Sequence, residues 1–127
     1  MVKLFVQDDG LSTFVGKGEV SPGEILGAYS DFLKSGPTRL VLWDLSSATL
    51  ARIDSGSIRD LAKCMAQLGR GRRNCGKSAI ACSQAVDFGL ARMLTTFLSI
   101  EDLPVRFAVF GDLDSAREWL ADEVVDP

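Results

Sequence analysis

Short apolar runs alternate along the chain with segments whose apolar residues recur every three or four positions, and this alternation constrains the fold most. Residues 40–43 form a continuous apolar run typical of a central strand. Residues 58–68 and 86–98 have the helical period. Such alternation favours a mostly parallel sheet with right-handed crossovers. We therefore predict a single α/β domain of five strands and four helices, in the order β-β-α-β-α-β-α-β-α, with an N-terminal antiparallel hairpin.

Turn and capping residues predict where the elements begin and end. Asp9 and Gly10 are a strong hairpin signal, because glycine takes a positive φ without steric cost. Ser21, Pro22 and Glu24 form a capping box with proline at the first helical position. The other predicted elements are strands at 3–7, 11–15, 40–44, 78–82 and 105–110, a second helix opening near Asp54 or Ser55, a third over 84–99 and a fourth from Asp112 or Asp114.

The expected topology leaves one face of the sheet to be covered. If the strands lie in chain order, right-handed crossovers place the connecting helices on one face. The opposite apolar face then needs another layer, which a homodimer would supply. We expect Trp43 and Trp119 in the core, and Gly89 at a close approach between helix and sheet.

Composition excludes several classes of function. The 127 residues carry a net charge of −3, whereas general nucleic-acid binders are strongly basic. The chain has no histidine, so triads and metal sites that use imidazole are excluded. Three cysteines in no metal-binding spacing favour reduced thiols in a cytoplasmic protein. We expect no catalytic residues, metal, cofactor, nucleic-acid partner or membrane span.

Residues 71–78 match the phosphate-binding pattern G-x-x-x-x-G-K-[ST] letter for letter. That loop normally follows a strand and opens a helix, whose N-terminus helps to hold the phosphates. Here the predicted order is helix, loop, strand, so the polarity is reversed. We interpret the segment as a basic turn in which Arg72, Arg73 and Lys77 contact an anion, if at all, by charge alone.

Polar residues follow the apolar parts of three predicted strands. Because parallel strands end at the same edge of a sheet, where ligands bind in such folds, these residues are expected to share one rim. Most also have a purely structural explanation, since Asp and Ser favour caps and turns. The candidate residues for a partner or ligand at this rim are Asp44, Ser46, Ser47, Ser83 and Asp112.

Four stretches of the chain have a familiar pattern, at 18–24, 42–45, 88–93 and 109–113. With them, the chain resembles the SpoIIAA-like branch of the STAS superfamily, the anti-sigma-factor antagonists, over essentially its whole length. The branch is also similar to the SEC14-type lipid-binding fold. In the antagonists, a serine at the start of the helix after strand 3 is phosphorylated, within Asp-Ser-Ser-Gly-Leu. The matching stretch here is Asp-Ser-Gly-Ser-Ile at 54–58, so the resemblance implies Ser55 or Ser57 as a phosphorylation site.

Three hypotheses about function follow. The first is a non-enzymatic regulatory or protein-interaction domain that binds its partner at the rim. The second is a carrier of a small apolar molecule or lipid, with an apolar pocket under helices 2 and 3. The third is a nucleotide-binding enzyme that uses Lys77 and Ser78.

Overall fold

Five strands and four helices form within the residues that the structure, a computed structural model, describes: 1–6, 10–70, 76–101 and 103–122. They follow the predicted order and confirm a single α/β domain. The strands are β1 (Val2–Val6), β2 (Leu11–Glu19), β3 (Leu40–Thr49), β4 (Gly76–Cys82) and β5 (Val105–Phe110). The helices are α1 (Pro22–Lys34), α2 (Ser55–Gly69), α3 (Ala85–Ile100) and α4 (Leu113–Ala121).

The sheet has the strand order β1-β2-β3-β4-β5. β1 pairs with β2 antiparallel, and the other neighbours pair parallel, as predicted. Gly10, which precedes β2, has φ +83°, the conformation for which the hairpin needs a glycine. Asp9, the other half of the predicted turn signal, lies outside the described residues.

The capping signals start the helices where the sequence predicts. The Ser21 hydroxyl accepts the backbone N–H of Glu24 at 3.2 Å, and the Glu24 carboxylate accepts that of Ser21 at 3.2 Å. Pro22 is the first residue of α1. Asp54 caps α2, whose first residue is Ser55.

The larger core lies on the face of the sheet that α1, α2 and α3 cover, which we call the helical face. At its centre the rings of Phe14 and Trp43 stack with their centroids 3.9 Å apart, and Phe32 of α1 meets Phe14 edge-on at 5.5 Å. Trp43 is 6 % exposed, so its predicted place in the core is confirmed.

Helix α4 covers part of the opposite face, which we call the α4 face. Its Ala116 and Leu120 pack on Leu42, Ala79 and Ala81 of β3 and β4. This contact supplies, within one chain, much of the cover for which the sequence suggested a homodimer. Trp119, expected in the core, is half-buried against Phe110, with ring centroids 5.8 Å apart.

Strand β3 is longer than predicted. It continues past Asp44 to Thr49, because its last three residues pair with Lys17, Gly18 and Glu19 of β2. The pairing passes through a register shift, in which four residues of β3 (44–47) lie opposite three of β2 (15–17). Such a bulge absorbs an extra residue and lets the strand continue.

In the part of the chain that the structure describes, none of the helices has the length and apolar character needed to cross a membrane.

Candidate functional site

Strands β2 to β5 end at one edge of the sheet, and the helices that follow them begin there. This edge is the predicted rim, and the candidate residues fall in three separate places, with Asp44, Ser46 and Ser47 inside β3.

Asp44, Ser46 and Ser83 come together, and we call them the Ser46 cluster. The Asp44 carboxylate accepts the Ser46 hydroxyl at 2.6 Å and the Ser46 backbone N–H at 3.1 Å. The Ser83 hydroxyl donates to the Ser46 carbonyl at 3.0 Å. Asp44 and Ser46 lie inside β3 rather than at its end, so the expected position is corrected. The bonds of this cluster stabilise the bulged part of β3 and its link to β4.

The other two candidates of the predicted rim lie apart from this cluster. Ser47 is exposed and opposite Lys17 in the ladder with β2. Asp112 caps α4, where its carboxylate accepts the backbone N–H of Ser115 at 2.7 Å and the Ser115 hydroxyl at 3.1 Å. These bonds lower the pKa of Asp112, the backbone bond being the larger cause.

The two candidate phosphorylation sites lie in the first turn of α2 but differ in their surroundings. Ser55 is exposed, whereas Ser57 is half-buried. Asp54 accepts the backbone N–H of Ser57 at 2.8 Å. This bond and a second one from the Ser57 hydroxyl lower the pKa of Asp54. Ser57 is therefore engaged with Asp54, while Ser55 offers an accessible hydroxyl at a helix N-terminus, where a phosphate is favoured.

A surface groove of about 320 Å³ separates the start of α1 from the start of α2. We call it the α1–α2 groove. It is lined by Glu19, Val20, Ser21, Pro22, Glu24, Arg52, Ile53 and Ser57. The sequence identified Ser57 as a candidate but treated Ser21 and Glu24 only as a cap. It missed the groove because the two walls are about thirty residues apart in the chain.

The charged side chains of the α1–α2 groove include a weak, exposed ion pair. Arg52 Nε lies 3.1 Å from Glu19 Oε1, and the two side chains are 79 % and 63 % exposed. Exposed pairs of this kind contribute little to stability, typically below about 1 kcal/mol. A partner can therefore exchange contacts with either side chain at small cost.

The phosphate-loop pattern (71–78) begins after a helix in the chain and ends inside a strand. α2 ends at Gly69 and β4 begins at Gly76, which confirms the predicted polarity. Arg72 and Arg73 lie outside the described residues. Lys77 is 1 % exposed, and its ammonium group donates to the backbone carbonyls of Trp119 and Asp122. The surface anion contact suggested for Lys77 does not fit this position, because the ammonium group is enclosed by the end of α4.

An internal apolar cavity lies between the sheet and helices α2 and α3, where the carrier hypothesis places its pocket. Its volume is about 20 Å³, enough for one water-sized molecule. Met65 of α2 and Ala91 of α3 form one side, and Trp43 and Ile80 form the sheet side. The hydroxyl-bearing side chain of Ser78, also from the phosphate-loop pattern, is the polar residue in this lining.

Asp87 is a buried carboxylate that the sequence left as an ordinary helix residue. It is 1 % exposed, and its Oδ1 accepts the backbone N–H of Leu50 at 2.8 Å and the Thr49 hydroxyl at 3.0 Å. Its Oδ2 is buried without a hydrogen-bond partner among the described residues. These bonds fasten α3 to the segment that leads from β3 into α2. The sequence did offer one signal for this contact, which is an acidic residue in the first turn of α3 after Gln84.

Within the described ranges, no three His, Cys, Asp or Glu side chains are grouped so that they could hold a metal ion. No family model matches the chain, and a search of the curated proteins finds no similar sequence.

Proposed function

We propose that this chain is a non-enzymatic, STAS-like regulatory domain of the cytoplasm, which binds a partner protein through the α1–α2 groove and the exposed first turn of α2. The observation that carries the proposal is the groove itself. It lies at the end of a parallel sheet where such folds bind their ligands. Two helix N-termini form its walls, and its polar side chains are accessible to a partner.

Phosphorylation of Ser55 would control this surface. A phosphoserine adds nearly two negative charges. It would stand beside Asp54 and at the edge of a groove that already carries Glu19 and Glu24. A partner that fits the unmodified surface would then have to desolvate the phosphate and these carboxylates together. Modification at this site is therefore expected to weaken partner binding.

The experiment begins with cross-linking of the chain in its host and identification of the cross-linked protein. That protein is then purified, and its affinity for the natural chain is compared with its affinity for Arg52→Glu and Ser55→Asp. We expect each variant to bind at least roughly tenfold more weakly, as when a contact at the centre of an interface is lost. Lys63→Glu, an exposed change further along α2, and Ser55→Ala are the controls and should bind normally.

Hydrogen exchange of the complex locates the contact independently. Slower exchange at residues 19–24 and 52–57 is expected on binding. Slower exchange confined to other segments, together with normal binding by Arg52→Glu and Ser55→Asp, would overturn the proposal.

A second candidate function is favoured by the cavity under α2 and α3. A carrier of a small apolar molecule would hold its ligand there, although α2 and α3 must separate to admit anything larger than about one water molecule. Native mass spectrometry of protein purified from its host should then show a bound apolar mass, and Ala91→Leu should remove it by filling the cavity. Protein that carries no ligand and shows no spectral change with added fatty acid would exclude this function.

A further inference from the structure

Among the residues that the structure describes, about half of the α4 face is uncovered. α4 contacts β3, β4 and β5, and its cluster reaches β2 at Leu11, so among these residues β1 and the rest of β2 lie open on this side. Leu4 and Phe14 of these strands pack into the core of the helical face. The residues on either side of Leu4 in β1 and of Phe14 in β2 therefore point to the α4 face. They form what we call the β1–β2 face: Lys3, Phe5, Thr13, Val15 and Lys17.

The β1–β2 face exposes apolar surface that a solvated face does not require. Phe5 is 51 % exposed, and with Met1 it accounts for two of the five large hydrophobic side chains exposed among the described residues. Both line a depression of about 250 Å³ together with Val15. Clustered exposed apolar residues with a polar border are typical of interaction sites.

The dimensions of the bare surface fit one helix. Neighbouring strands lie about 4.8 Å apart, and a helix with its side chains is about 10 Å wide. β1 and β2 together are therefore as wide as a single helix lying beside α4. The helical face already has three helices over the same five strands, whereas the α4 face has one.

The charge of the β1–β2 face determines which kind of helix can bind to it. Lys3, opposite Val15 in the ladder, and Lys17, two residues beyond Val15 in β2, are exposed beside the apolar residues. The carboxylate next to them, Asp44 opposite Val15, is bonded to Ser46 and half-buried. A second copy of the same face would bring four lysines together, which is unfavourable. We propose that the β1–β2 face docks an amphipathic helix of a partner protein, with an apolar stripe flanked by carboxylates.

This surface is on the opposite side of the sheet from α1 and α2, so the proposal does not depend on the function of the α1–α2 groove. The docked helix would lie over β1 and β2, insert an apolar side chain beside Phe5, and place its carboxylates near Lys3 and Lys17. It would complete the second layer of the sheet as a partner's helix completes a groove in other helix-binding proteins.

The test uses the full chain and a synthetic peptide of about 18 residues, a length that can form a helix. The peptide carries a Leu/Phe stripe flanked by Glu, and a second peptide has Lys in place of each Glu. In NMR titrations we expect the Glu peptide to shift the amide signals of residues 3–5 and 13–17, and to bind at least roughly tenfold more tightly than the Lys peptide.

Variants separate the apolar and the charged contributions. Phe5→Ser should weaken binding of the Glu peptide roughly tenfold, because it removes the aromatic anchor. Lys3→Glu combined with Lys17→Glu should reverse the preference between the two peptides. Val86→Ser, at a side chain that is 56 % exposed on α3, is the matched control and should bind normally. All these side chains are exposed, and circular dichroism verifies that each variant is folded.

Three outcomes would overturn the proposal. The first is the absence of shifts at residues 3–5 and 13–17 at millimolar peptide. The second is dimerisation of the natural chain that Phe5→Ser abolishes, which would identify a second copy as the occupant. The third is binding to vesicles of anionic phospholipid that needs Phe5 and the two lysines, which would identify a membrane surface instead.

Discussion

The ammonium group of Lys77 donates a hydrogen bond to the Trp119 carbonyl at 3.0 Å, so the lysine of the phosphate-loop pattern caps the C-terminus of α4. The same group donates to the Asp122 carbonyl and lies 5.1 Å from the centre of the Trp119 ring. Carbonyls at a helix C-terminus have no partner within the helix and carry partial negative charge. A buried cation from β4 satisfies them here and holds α4 on the sheet.

Replacement of Lys77 by alanine is therefore expected to destabilise the fold. Lys77→Ala should lower the free energy of unfolding by about 2–4 kcal/mol, because the carbonyls at the end of α4 lose their charged donor and the buried lysine stem leaves a void. Urea denaturation measures the change. Lys63→Ala, at an exposed lysine of α2, should stay within about 0.5 kcal/mol of the natural protein.

The same variant tests the nucleotide hypothesis. We expect magnesium-ATP to give no binding heat with the natural protein, since Lys77 is bonded to protein carbonyls. If the natural protein bound magnesium-ATP, and Lys77→Ala abolished this binding without changing the free energy of unfolding, the capping role would be contradicted. The phosphate-loop interpretation would then be restored.

Asp87 is expected to be a second residue on which stability depends. Asp87→Ala leaves the Leu50 N–H, on a residue that is 2 % exposed, and the Thr49 hydroxyl without their acceptor. The expected loss is about 2–4 kcal/mol in the free energy of unfolding. Asp87→Asn keeps an acceptor oxygen and should cost less than Asp87→Ala. Thr49→Val removes one of the two bonds to Asp87, together with the exposed bond from the Ala51 N–H to the Thr49 hydroxyl, and should cost about 1–2 kcal/mol.

Exchange of the Leu50 amide hydrogen gives a local readout of the same contact. In Asp87→Ala it should exchange faster than the amides of β4. An Asp87→Ala protein with natural stability and a protected Leu50 amide would show that the carboxylate does not anchor this segment.

The order of the elements could be predicted because it depends on local patterns. Ser21 and Glu24 lie within one turn of each other, and their reciprocal bonds form as expected. The end of β3 could not be predicted, because the strand continues only where β2 offers Gly18 and Glu19 as partners across a bulge. That pairing depends on residues about thirty positions away, so the apolar run alone misplaced the end of the strand at Asp44.

Only part of the candidate site could be predicted from the sequence, because its contacts also depend on residues that are distant along the chain. The rule that parallel strands end at one edge predicted a shared rim for Ser46 and Ser83, but it did not predict their hydrogen bond, and Ser46 lies inside β3. The bond from Asp87 to Leu50 joins residues 37 positions apart, and a helical pattern does not distinguish a buried acid from a solvated one. Gly89 was predicted at a close approach and is instead exposed, with open space where a Cβ would lie.

The thiol of Cys82 is expected to be inert in the folded protein. Burial, together with the nearby Asp87 carboxylate, raises its pKa from the ordinary 9.0 to about 12. Iodoacetamide at about pH 8 should therefore modify the exposed Cys64 and leave Cys82 untouched, because the thiolate is the reactive form. Peptide mass spectrometry identifies the modified thiol. Rapid modification of Cys82 in native protein would contradict its burial, and modification in urea is the positive control.

The cap of α2 should make stability depend on pH in the acid range. Hydrogen bonds from Ser57 lower the pKa of Asp54 below its ordinary 3.8 in the folded state. A lowered pKa stabilises the fold above the ordinary value, and the stabilisation is lost as the pH falls through the lowered pKa. Asp54→Asn retains a capping oxygen but cannot titrate. The natural protein should thus melt at a higher temperature than Asp54→Asn at neutral pH, and the difference should shrink as the pH falls below the ordinary 3.8. A constant difference across this range would contradict the cap as its origin.

Two glycines with opposite surroundings should respond to alanine with opposite signs. At Gly89, a helical position on the surface, a Cβ would meet nothing within 4 Å. Gly89→Ala should therefore raise the free energy of unfolding by about 0.5–1 kcal/mol, since alanine restricts the unfolded chain. At Gly16, a Cβ would lie 2.7 Å from Leu45 Cδ2 and 3.3 Å from Ala48 Cβ.

Leu45 is 4 % exposed and has little room to move, so Gly16→Ala should lower stability by about 1–3 kcal/mol. Urea denaturation of both variants alongside the natural protein measures the two changes. A stabilising Gly16→Ala would show that β2 and β3 are farther apart at the bulge than the structure places them. A destabilising Gly89→Ala would show that this face of α3 is covered in solution, which would make it a further contact surface.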